Sequence, residues 1–380
     1  MSWPLAKLDN HVDILSGFAF KSENFNDRGE GLPLVRIRDV VPGVSDTYYS
    51  GEYSSEFLLS DGDLLIGMDG DFNRARWSGG RALLNQRVCK ITAKCESLDQ
   101  GYLYHFLPKA LDKIHAETPA VTVKHLSVKG IRAIEIPLPP LSEQKRIASI
   151  LDKADAIRRK RQQAIQLADD FLRAVFLDMF GDPVTNPKGW EVRLLSELVS
   201  KLGDGLHGTP DYDESGDYYF INGNNLDSGR IVINERVKRV GDEEFKKHKK
   251  ELSKNTMLVS INGTIGKVAF YQGEKVVLGK SVCYFNVIPE RISSIYLYHL
   301  IGSHYFLRYT SGIETGSTIK NVSLKSMREL PVPLPSAELQ GSFESLVKRI
   351  ESKKGKFSAG YNSASALFDS LSQNAFSGKL

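Results

Sequence analysis

The chain of 380 residues contains one unit written twice, and this repeat limits most strongly how it can fold. Segment 122–139 (TVKHLSVKGIRAIEIPLP) aligns without gaps with segment 318–335 (TIKNVSLKSMRELPVPLP), with eight identities in eighteen positions. Six further positions exchange one apolar residue for another. Average amino-acid usage would give about one chance identity over this span. The repeat therefore predicts two equivalent domains and a target with two sides.

Two further pairs of segments extend the repeat along each half. YLYHFL at 102–107 matches YLYHLI at 296–301, and LLIGMDG at 64–70 matches MLVSING at 257–263. In both copies a strand-rich region leads to a Pro-rich stop, which is followed by a long helical pattern. We therefore predict two globular domains, each followed by a helix, with the boundaries 1–140, 141–181, 182–336 and 337–380.

Both helical patterns carry an apolar seam that steps by four and three residues, the coiled-coil spacing. The seam recurs 196 residues later in the same register, and charge interrupts it at the same step (Arg158 and Lys354). Forty residues form a rod of about 60 Å. We predict two antiparallel, coiled-coil-like spacer helices; a core helix within one domain is the alternative. The apolar seam residues include Ile147, Leu151, Ala154, Ile165, Leu172, Val175, Phe343, Val347, Ile350, Phe357, Tyr361, Phe368 and Leu371.

Both globular halves show strand and turn patterns. The segment LVRIRDV at 34–40 alternates, which predicts a strand with its two arginines on one face. The segments at 64–77 and 257–271 predict strand–turn–strand units around Asp-Gly and Asn-Gly. The predicted fold class is therefore α+β, with two globular domains in a pseudo-two-fold tandem repeat separated by the two long helices.

The charge balance allows local basic surfaces but excludes a strongly basic coat protein. The net charge is +4, from 50 basic and 46 acidic residues. Segment 236–254 concentrates eight Lys and Arg against four Asp and Glu. Phosphate contacts supply most of the non-specific affinity for nucleic acids, so this segment is a candidate phosphate-binding patch. A solvated loop or helix face is the alternative.

The sequence carries no pattern of secretion, membrane insertion or zinc binding by cysteines. The N-terminal segment has no long apolar run, so we expect no signal peptide and no membrane span. Cys89, Cys95 and Cys283 form no CxxC pair. Cys89 and Cys283 occupy equivalent places, which predicts small buried residues on matching strands. We expect a cytoplasmic protein without a metal ion of its own.

Several short motifs resemble those of enzymes, but the sequence around each motif does not match what the enzyme site requires. Residues 203–208 fit GxGxxG, but Thr-Pro-Asp follows where a dinucleotide site needs a helix. The chain has no GxxxxGK[ST] loop, and Asn-Pro-Lys-Gly at 186–189 is incomplete as a methyltransferase loop. A nuclease motif could use Asp211, Glu244 and Lys246, which lie in turn-like sequence without a counterpart in the first copy. Signals of binding are what remain.

Candidate DNA-contacting residues occur in both copies. Arg and Lys suit guanine edges and phosphates, and Asn suits adenine. A solvated surface role is the alternative for each residue, but both copies keep a lysine at Lys124/Lys320 and at Lys129/Lys325. The candidates in the first copy are Arg36, Arg38, Arg74, Arg76, Lys124 and Lys129. Those in the second copy are Asn222, Asn224, Asn225, Lys267, Lys280, Lys320 and Lys325.

Motifs over nearly the whole chain resemble those of the specificity (S) subunits of type I restriction–modification systems. The stretch IPLPPLSEQKRI at 136–147, which leads into the first long helix, is quite specific. In the second copy, AELQG at 337–341 replaces LSEQK, so different contacts are expected there. The other resembling segments are SGFAFKS (16–22), GMDGDFN (67–73), LLNQRV (83–88), MFGDPVTNPKGW (179–190), DGLHGTPDY (204–212) and SINGTIGKVAFY (260–271).

The resemblance implies that each globular half is a target recognition domain, which reads one half of a split, asymmetric DNA site. The helices would set the unread spacer and dock partners. The implied partners are double-stranded DNA, two modification subunits and restriction subunits. S-adenosylmethionine, ATP and Mg²⁺ would bind those subunits and not this chain. The assembled complex would methylate adenine N6 after base flipping and act as an ATP-dependent endonuclease.

Two alternatives stay open at this point. A catalytic nuclease or DNA methyltransferase chain would cut DNA with magnesium, or transfer labelled methyl groups to it, without other subunits. A coiled-coil scaffold that only assembles other proteins would protect DNA without any sequence preference.

Lys124→Ala and Lys320→Ala are each expected to weaken DNA binding and to reduce its salt dependence, because each lysine would neutralise a phosphate. The measurement is the dissociation constant of the chain with its modification partner over a series of salt concentrations. An unchanged salt slope would remove that lysine from the interface.

Overall fold

The structure, a computed structural model, describes residues 3–119, 123–312 and 321–380 and divides into two units. Unit 1 consists of Met1–Gln162 with Ser358–Leu380, and unit 2 of Gln163–Phe357. Each unit thus holds one globular half and part of each long helix. The boundaries drawn between globular domains and helices from the sequence stay a prediction.

Unit 1 combines short strands with helices, as an α+β fold does. Its strands are β1 (Leu5–Lys7), β2 (Val12–Ser16), β3 (Phe25–Asn26), β4 (Leu32–Val35), β5 (Tyr48–Tyr49), β6 (Leu58–Leu59), β7 (Leu64–Gly67), β8 (Arg74–Arg76), β9 (Ala82–Leu84), β10 (Val88–Ala93) and β11 (Glu135–Pro137). Its helices are α1 (Gln100–Glu117), α2 (Val128–Arg132), the first part of α3 (Leu141–Phe180) and the last part of α9 (Ala337–Phe376).

Unit 2 follows the same plan. Its strands are β12 (Glu191–Leu194), β13 (Val199–Asp204), β14 (Tyr218–Ile221), β15 (Leu226–Asp227), β16 (Arg230–Ile231), β17 (Arg239–Val240), β18 (Thr256–Ser260), β19 (Val268–Phe270), β20 (Val276–Leu278), β21 (Val282–Val287) and β22 (Pro331–Leu334). Its helices are the last part of α3, α4 (Leu195–Leu198), α5 (Asp242–His248), α6 (Ser294–Ile301), α7 (His304–Ser311), α8 (Leu324–Arg328) and the first part of α9.

Both units build the same four-stranded antiparallel sheet. Its strand order is β2-β10-β7-β8 in unit 1 and β13-β21-β18-β19 in unit 2. The strand–turn–strand units predicted at β7–β8 and β18–β19 are confirmed. Cys89 on β10 and Cys283 on β21 are both fully buried, which confirms their predicted place. No helix in the described part of the chain is long and apolar enough to cross a membrane.

The sheet is buried on both faces, which explains its continuous apolar runs. Leu64 and Ile66 of β7 pack into the core that contains α1, whereas Leu65 between them packs into a second core on the other face. In unit 2, Met257 and Leu258 of β18 divide between two cores in the same way. Successive strand residues point to opposite faces, so both faces require apolar residues.

The alternating segment 34–40 does not form one strand, which corrects the prediction from its pattern. β4 ends at Val35, and a 3₁₀ helix follows at Ile37–Asp39. The backbone N–H of Arg36 donates to Asp39 Oδ2 at 2.9 Å. A short acidic side chain that accepts from a nearby backbone N–H favours a turn over a strand.

Gly17 and Gly205 stand where a strand of the sheet passes very close to a neighbouring backbone. A Cβ on Gly17 would collide with the carbonyl of Asn85, and one on Gly205 with the carbonyl of Leu278. Gly205 is the central glycine of the GxGxxG pattern at 203–208. Close backbone packing therefore accounts for this glycine.

In unit 1 the first part of α3 runs antiparallel to the last part of α9. The guanidinium of Arg158 lies over the ring of Phe368, 4.8 Å from its centroid. One turn further along α3, Arg161 donates a hydrogen bond to the carbonyl of Gly360. A Cβ on Gly360 would crowd this guanidinium, so the glycine permits the contact.

In unit 2 the remaining parts of the same helices are also antiparallel. Lys354 Nζ lies 2.5 Å from Asp169 Oδ1. Further along α3, the ring of Phe176 lies 5.6 Å from that of Phe343, which is earlier on α9. Partner numbers fall along α9 as they rise along α3, which is the antiparallel order.

The predicted seam residues contribute to both cores. The middle of the seam is less covered, with Phe357 41% exposed, and ion pairs such as Lys354–Asp169 lie there. Phe176 and Phe180, which lie outside the predicted seam, are buried. Seam residues in the core of unit 1 are Ile147, Leu151, Phe368 and Leu371. Those in the core of unit 2 are Leu172, Val175, Phe343, Val347 and Ile350. Ala154, Ile165 and Tyr361 are half-buried.

A buried glutamine joins the start of each long helix to its globular half. Gln144 Nε2 donates to the carbonyls of Pro139 (2.9 Å) and Ser97 (3.0 Å), and its Oε1 accepts from the N–H of Asp99 at 2.9 Å. Asp99 caps α1, so one amide connects the two helices. Helix α3 begins at Leu141, directly after Pro140.

The second copy repeats this junction despite its different local sequence. Gln340 Nε2 donates to the carbonyl of Pro335 at 2.7 Å, and its Oε1 accepts from the N–H of Ser293 at 2.8 Å. Ser293 caps α6 as Asp99 caps α1. The expectation of different contacts at 337–341 is therefore wrong for the glutamine.

Gln144→Ala and Gln340→Ala are each expected to lower the free energy of unfolding by about 2–4 kcal/mol, because each leaves buried backbone donors and acceptors unpaired. The matched control is Gln166→Ala on the exposed face of α3, whose Nε2 contacts only Asp170 among the described residues. Urea unfolding of the full chain measures all three. Equal, small losses in the three variants would contradict a junction role.

Candidate nucleic-acid interface

Four segments of unit 1 meet where the parallel strands β4 and β9 end. They are 36–39, 67–73, 85–87 and 124–126, which we name the first loop cluster. The N–H of Met68 donates to the carbonyl of Arg87 at 2.8 Å, and the N–H of Leu126 donates to the carbonyl of Met68 at 2.7 Å. The N–H of Asn85 reaches the carbonyl of Val35 at 3.4 Å, which connects the two parallel strand ends.

Unit 2 builds the same arrangement from 222–225, 260–265, 279–281 and 321–323, the second loop cluster. The N–H of Ile261 donates to the carbonyl of Ser281 at 3.0 Å, and the N–H of Val322 donates to the carbonyl of Ile261 at 2.8 Å. These bonds match those of Met68 and Leu126 position by position. The backbone frame is therefore common to both copies.

The side chains on this common frame differ in charge. In the first loop cluster, Asp69 pairs with Arg87 and accepts a hydrogen bond from His125 Nδ1 at 2.6 Å. Partial burial works against ionisation of Asp69, but the hydrogen bonds from His125 and Arg87 prevail and lower the pKa of its carboxyl group. The corresponding residues of the second loop cluster are neutral, and they are Asn262, Ser281 and Asn321.

Several predicted residues lie in the first loop cluster. Arg36 and Arg38 are exposed at the 3₁₀ turn, where Arg38 Nη2 donates to Thr47 Oγ1 at 3.1 Å. Lys124 is half-buried and donates through Nζ to the carbonyl of His115 in the last turn of α1. Lys124 thus also ties the fourth segment to α1.

The second loop cluster contains predicted residues at matching places. Asn222 and Asn224 occupy the positions of Arg36 and Arg38 after the parallel strand. Asn225 closes the 3₁₀ turn, because its Oδ1 accepts from the N–H of Asn222 at 2.9 Å. Asn224 and Lys280 are exposed.

Arg74 and Arg76 lie outside the first loop cluster, and their side chains pack against α1 and α3. Both guanidinium groups lie over the ring of Tyr104, at 4.2 and 4.3 Å from its centroid. Arg76 also pairs with Asp152 of α3 at 3.1 Å. Burial lowers the pKa of Arg74. Arg74 and Arg76 lie on the face of strand β8 that packs toward α1. The sequence pattern of the strand does not show which of its faces is covered.

The same Asp152 carboxylate holds a buried histidine. His105 Nε2 lies 2.9 Å from Asp152 Oδ1. Burial favours the neutral imidazole and lowers the pKa of His105, against the opposing effect of Asp152. In unit 2 the equivalents of Arg74 and Arg76 are apolar, and Phe270 packs on Tyr298 at 5.3 Å. This cluster is a structural contact of α1 with α3.

The remaining predicted residues are distributed around the clusters. Lys267 pairs with Asp227 at 3.5 Å, and Lys325 on α8 lies 3.9 Å from Glu329. Lys129 is exposed on α2, the counterpart of α8. Lys320 lies outside the described residues. The basic segment 236–254 forms β17 and α5.

Among the residues that the structure describes, the GxGxxG pattern and the possible metal ligands do not lie in the arrangements that a cofactor or metal site requires. Gly203–Gly208 begins in strand β13 and continues as loop, and strand β14 is the next regular element in this described stretch. Across residues 3–119, 123–312 and 321–380, no three His, Cys, Asp or Glu side chains gather as metal ligands would.

Sequence reasoning missed Asp69, Arg87, His125 and their counterparts in the second copy. A signal for two of them was present, because His125 and Asn321 occupy the same column of the aligned repeat. Asp69 and Arg87 lie in the quoted segments GMDGDFN and LLNQRV. Their meeting with His125 depends on the sheet topology, which no local pattern states.

Comparison with known proteins agrees with this duplicated architecture. The family model described as the type I restriction modification DNA specificity domain matches residues 2–167 and again 187–354. The chain is 30% identical to the type I restriction enzyme EcoBI specificity subunit of Escherichia coli, with 100% of this chain and 86% of that protein covered. It is 23% identical to the MjaVIII specificity subunit of Methanocaldococcus jannaschii, with 87% and 90% covered.

A solved structure supports the fold. The S subunit of a type I restriction–modification system from M. genitalium superposes with a TM-score of 0.59, at 16% identity and with 99% of this chain and 96% of that chain covered. The two family matches fall on the two copies of the repeat. The chain therefore belongs to the type I restriction modification DNA specificity domain family and carries two copies of that domain in tandem.

Proposed function

We propose that this chain is the subunit that reads the DNA sequence in a type I restriction–modification complex, and that each copy reads one half of a bipartite site. The observation that carries the proposal is the pair of loop clusters. One backbone frame recurs, with the Met68–Arg87 hydrogen bond matched by the Ile261–Ser281 bond. The exposed polar groups on it differ, as two readers of different bases require.

The chemistry of the clusters suits contacts with base edges and phosphates. Arg36, Arg38 and Arg87 supply guanidinium groups in the first cluster, whereas Asn222 and Asn224 supply amides in the second. Guanidinium groups match guanine and phosphate, and amides match adenine. The two copies are thus suited to different half-sites, and the whole site is asymmetric.

The long helices have a separate role in this proposal. They set the number of unread base pairs between the half-sites, and they dock two modification subunits and the restriction subunits. S-adenosylmethionine, ATP and Mg²⁺ belong to those partner subunits. Methyl transfer to adenine N6 and DNA cleavage are activities of the complex, and its compartment is the cytoplasm. Support comes from the relatives' names as specificity subunits and from the equal length of α3 and α9, 40 residues each.

The test is methylome sequencing of a host that expresses this chain with its modification subunit. We expect methylated adenines in one bipartite motif with a fixed gap. Methylation without sequence preference would favour the scaffold alternative. Methyl transfer or cleavage by the purified chain alone would favour the enzyme alternative.

A paired deletion in the same experiment tests the spacer role. Removal of 158–164 together with 354–360 takes two helical turns from each helix and keeps both seams in register. The helices shorten by about 10 Å, which corresponds to about three base pairs, so we expect a shorter gap between unchanged half-sites. An altered half-site would mean that the helices themselves read bases. Circular dichroism of the variant controls for folding.

A further inference from the structure

Arg87 in the first loop cluster adopts a backbone conformation that is uncommon for an arginine. Its φ is +69°, in the left-handed region that favours glycine. The turn that contains it connects β9 with β10, and the carbonyl of Arg87 accepts the hydrogen bond from Met68 at 2.8 Å. Strained non-glycine residues are concentrated at functional sites. A glycine would satisfy this backbone, so the arginine points to a use of its side chain.

The guanidinium of Arg87 pairs with Asp69 on one side and is exposed to solvent on the other. Its side chain is 63% exposed, while the Asp69 carboxylate that pairs with its Nη1 is only 12% exposed. The other oxygen of Asp69 accepts from His125, whose side chain is 59% exposed. Within the described part of the chain, the hydrogen bonds of this guanidinium use Nη1 alone. Nε and Nη2 remain for a ligand.

A guanidinium oriented in this way fits one edge of one base. Its N–H fork matches O6 and N7 of guanine in the major groove, which is the commonest specific contact between proteins and DNA. A carboxylate behind the fork fixes its direction, as supporting residues do in precise binding sites. A lysine can bind a phosphate as a point charge, whereas the pairing with Asp69 offsets the charge of Arg87 and would weaken its attraction for a phosphate.

The second copy supplies an internal comparison. Ser281 takes the place of Arg87, and Asn262 and Asn321 take the places of Asp69 and His125. The hydrogen bonds of the frame are retained without any of the three charged or titratable groups, and Ser281 lacks the positive φ of Arg87. Reading through a guanidinium at this position is therefore a property of the first copy only.

We propose that Arg87, positioned by Asp69 and His125, is a specificity-determining residue that reads a guanine in the half-site bound by the first copy. This inference rests on the proposed function, because it requires that the loop clusters contact DNA.

Two substitutions of Arg87 separate base reading from charge. Arg87→Gly removes the guanidinium and suits the positive φ, so the turn should keep its backbone conformation. Thermal unfolding of this variant measures what it costs to leave Asp69 paired with His125 alone. Arg87→Lys keeps a positive charge but lacks the fork. The matched control is Arg28→Ala, since Arg28 is also exposed and paired with a carboxylate (Glu30, 3.0 Å) but precedes β4 at its other end.

The readout is competition binding by the full chain with its modification subunit. The probes are duplexes that carry the motif from methylome sequencing, with each base pair of both half-sites changed in turn. The wild type and Arg28→Ala should prefer guanine at one position of one half-site by about 10- to 100-fold. Arg87→Gly should lose that preference and keep the others. Arg87→Lys should only weaken it, because a lysine can still donate to a guanine edge, and it should keep the wild-type salt slope.

Two results would overturn the inference while the proposed function stands. One is an unchanged guanine preference in Arg87→Gly. The other is a uniform loss of affinity for every duplex, with a salt slope lower by about one, which identifies a phosphate contact. A wild-type complex that binds all duplexes equally would instead overturn the proposed function, and this inference with it.

Discussion

The buried amide at the start of each long helix is the interaction on which each unit depends. Gln144 and Gln340 sit where a Pro-rich strand end turns into a helix, a place where prolines lack the N–H groups that would stabilise the turn. Each glutamine accepts the N–H of the residue that caps a neighbouring helix and donates to a proline carbonyl. The helix is thereby joined to the globular half by hydrogen bonds and not only by a flexible connection.

Beyond that junction, the two loop clusters share their backbone hydrogen bonds and differ in the side chains that they carry. Backbone hydrogen bonds between the loop segments recur in both copies, and one side-chain acceptor in each copy, Asp39 or Asn225, closes the 3₁₀ turn. Arg36 and Asn222 occupy one position of this frame, and Arg87 and Ser281 another. Arg36 and Arg87 are exposed, whereas Asn222 and Ser281 are half-buried and hydrogen-bonded to each other, so the exchange changes the polar chemistry of this surface.

The sequence predicted the parts of the fold that depend on periodicity, and it failed where distant residues decide. The repeat located Cys89 and Cys283 on matching strands, and the apolar spacing located α3 and α9. The strand at 34–40 was predicted too long, because the Asp39 carboxylate closes a turn that alternation cannot reveal. Arg74 and Arg76 alternate with an apolar residue, as surface-exposed strand residues also do, but Tyr104 covers their face of β8. The contact between Asp69 and His125 joins residues 56 positions apart, which only the topology brings together.

The division of the chain into units also determines the order in which they can be completed during synthesis. Unit 2 is one continuous stretch, whereas the core of unit 1 includes Leu371 and Ala375 from the end of α9. Domains tend to fold as units, starting from the N-terminus, as the chain is made. Here the half that is synthesised first must wait for the last helix to cover Ile147 and Leu151. Unit 1 can therefore be completed only after the last residues of α9 have been made, whereas unit 2 needs the chain only as far as Phe357.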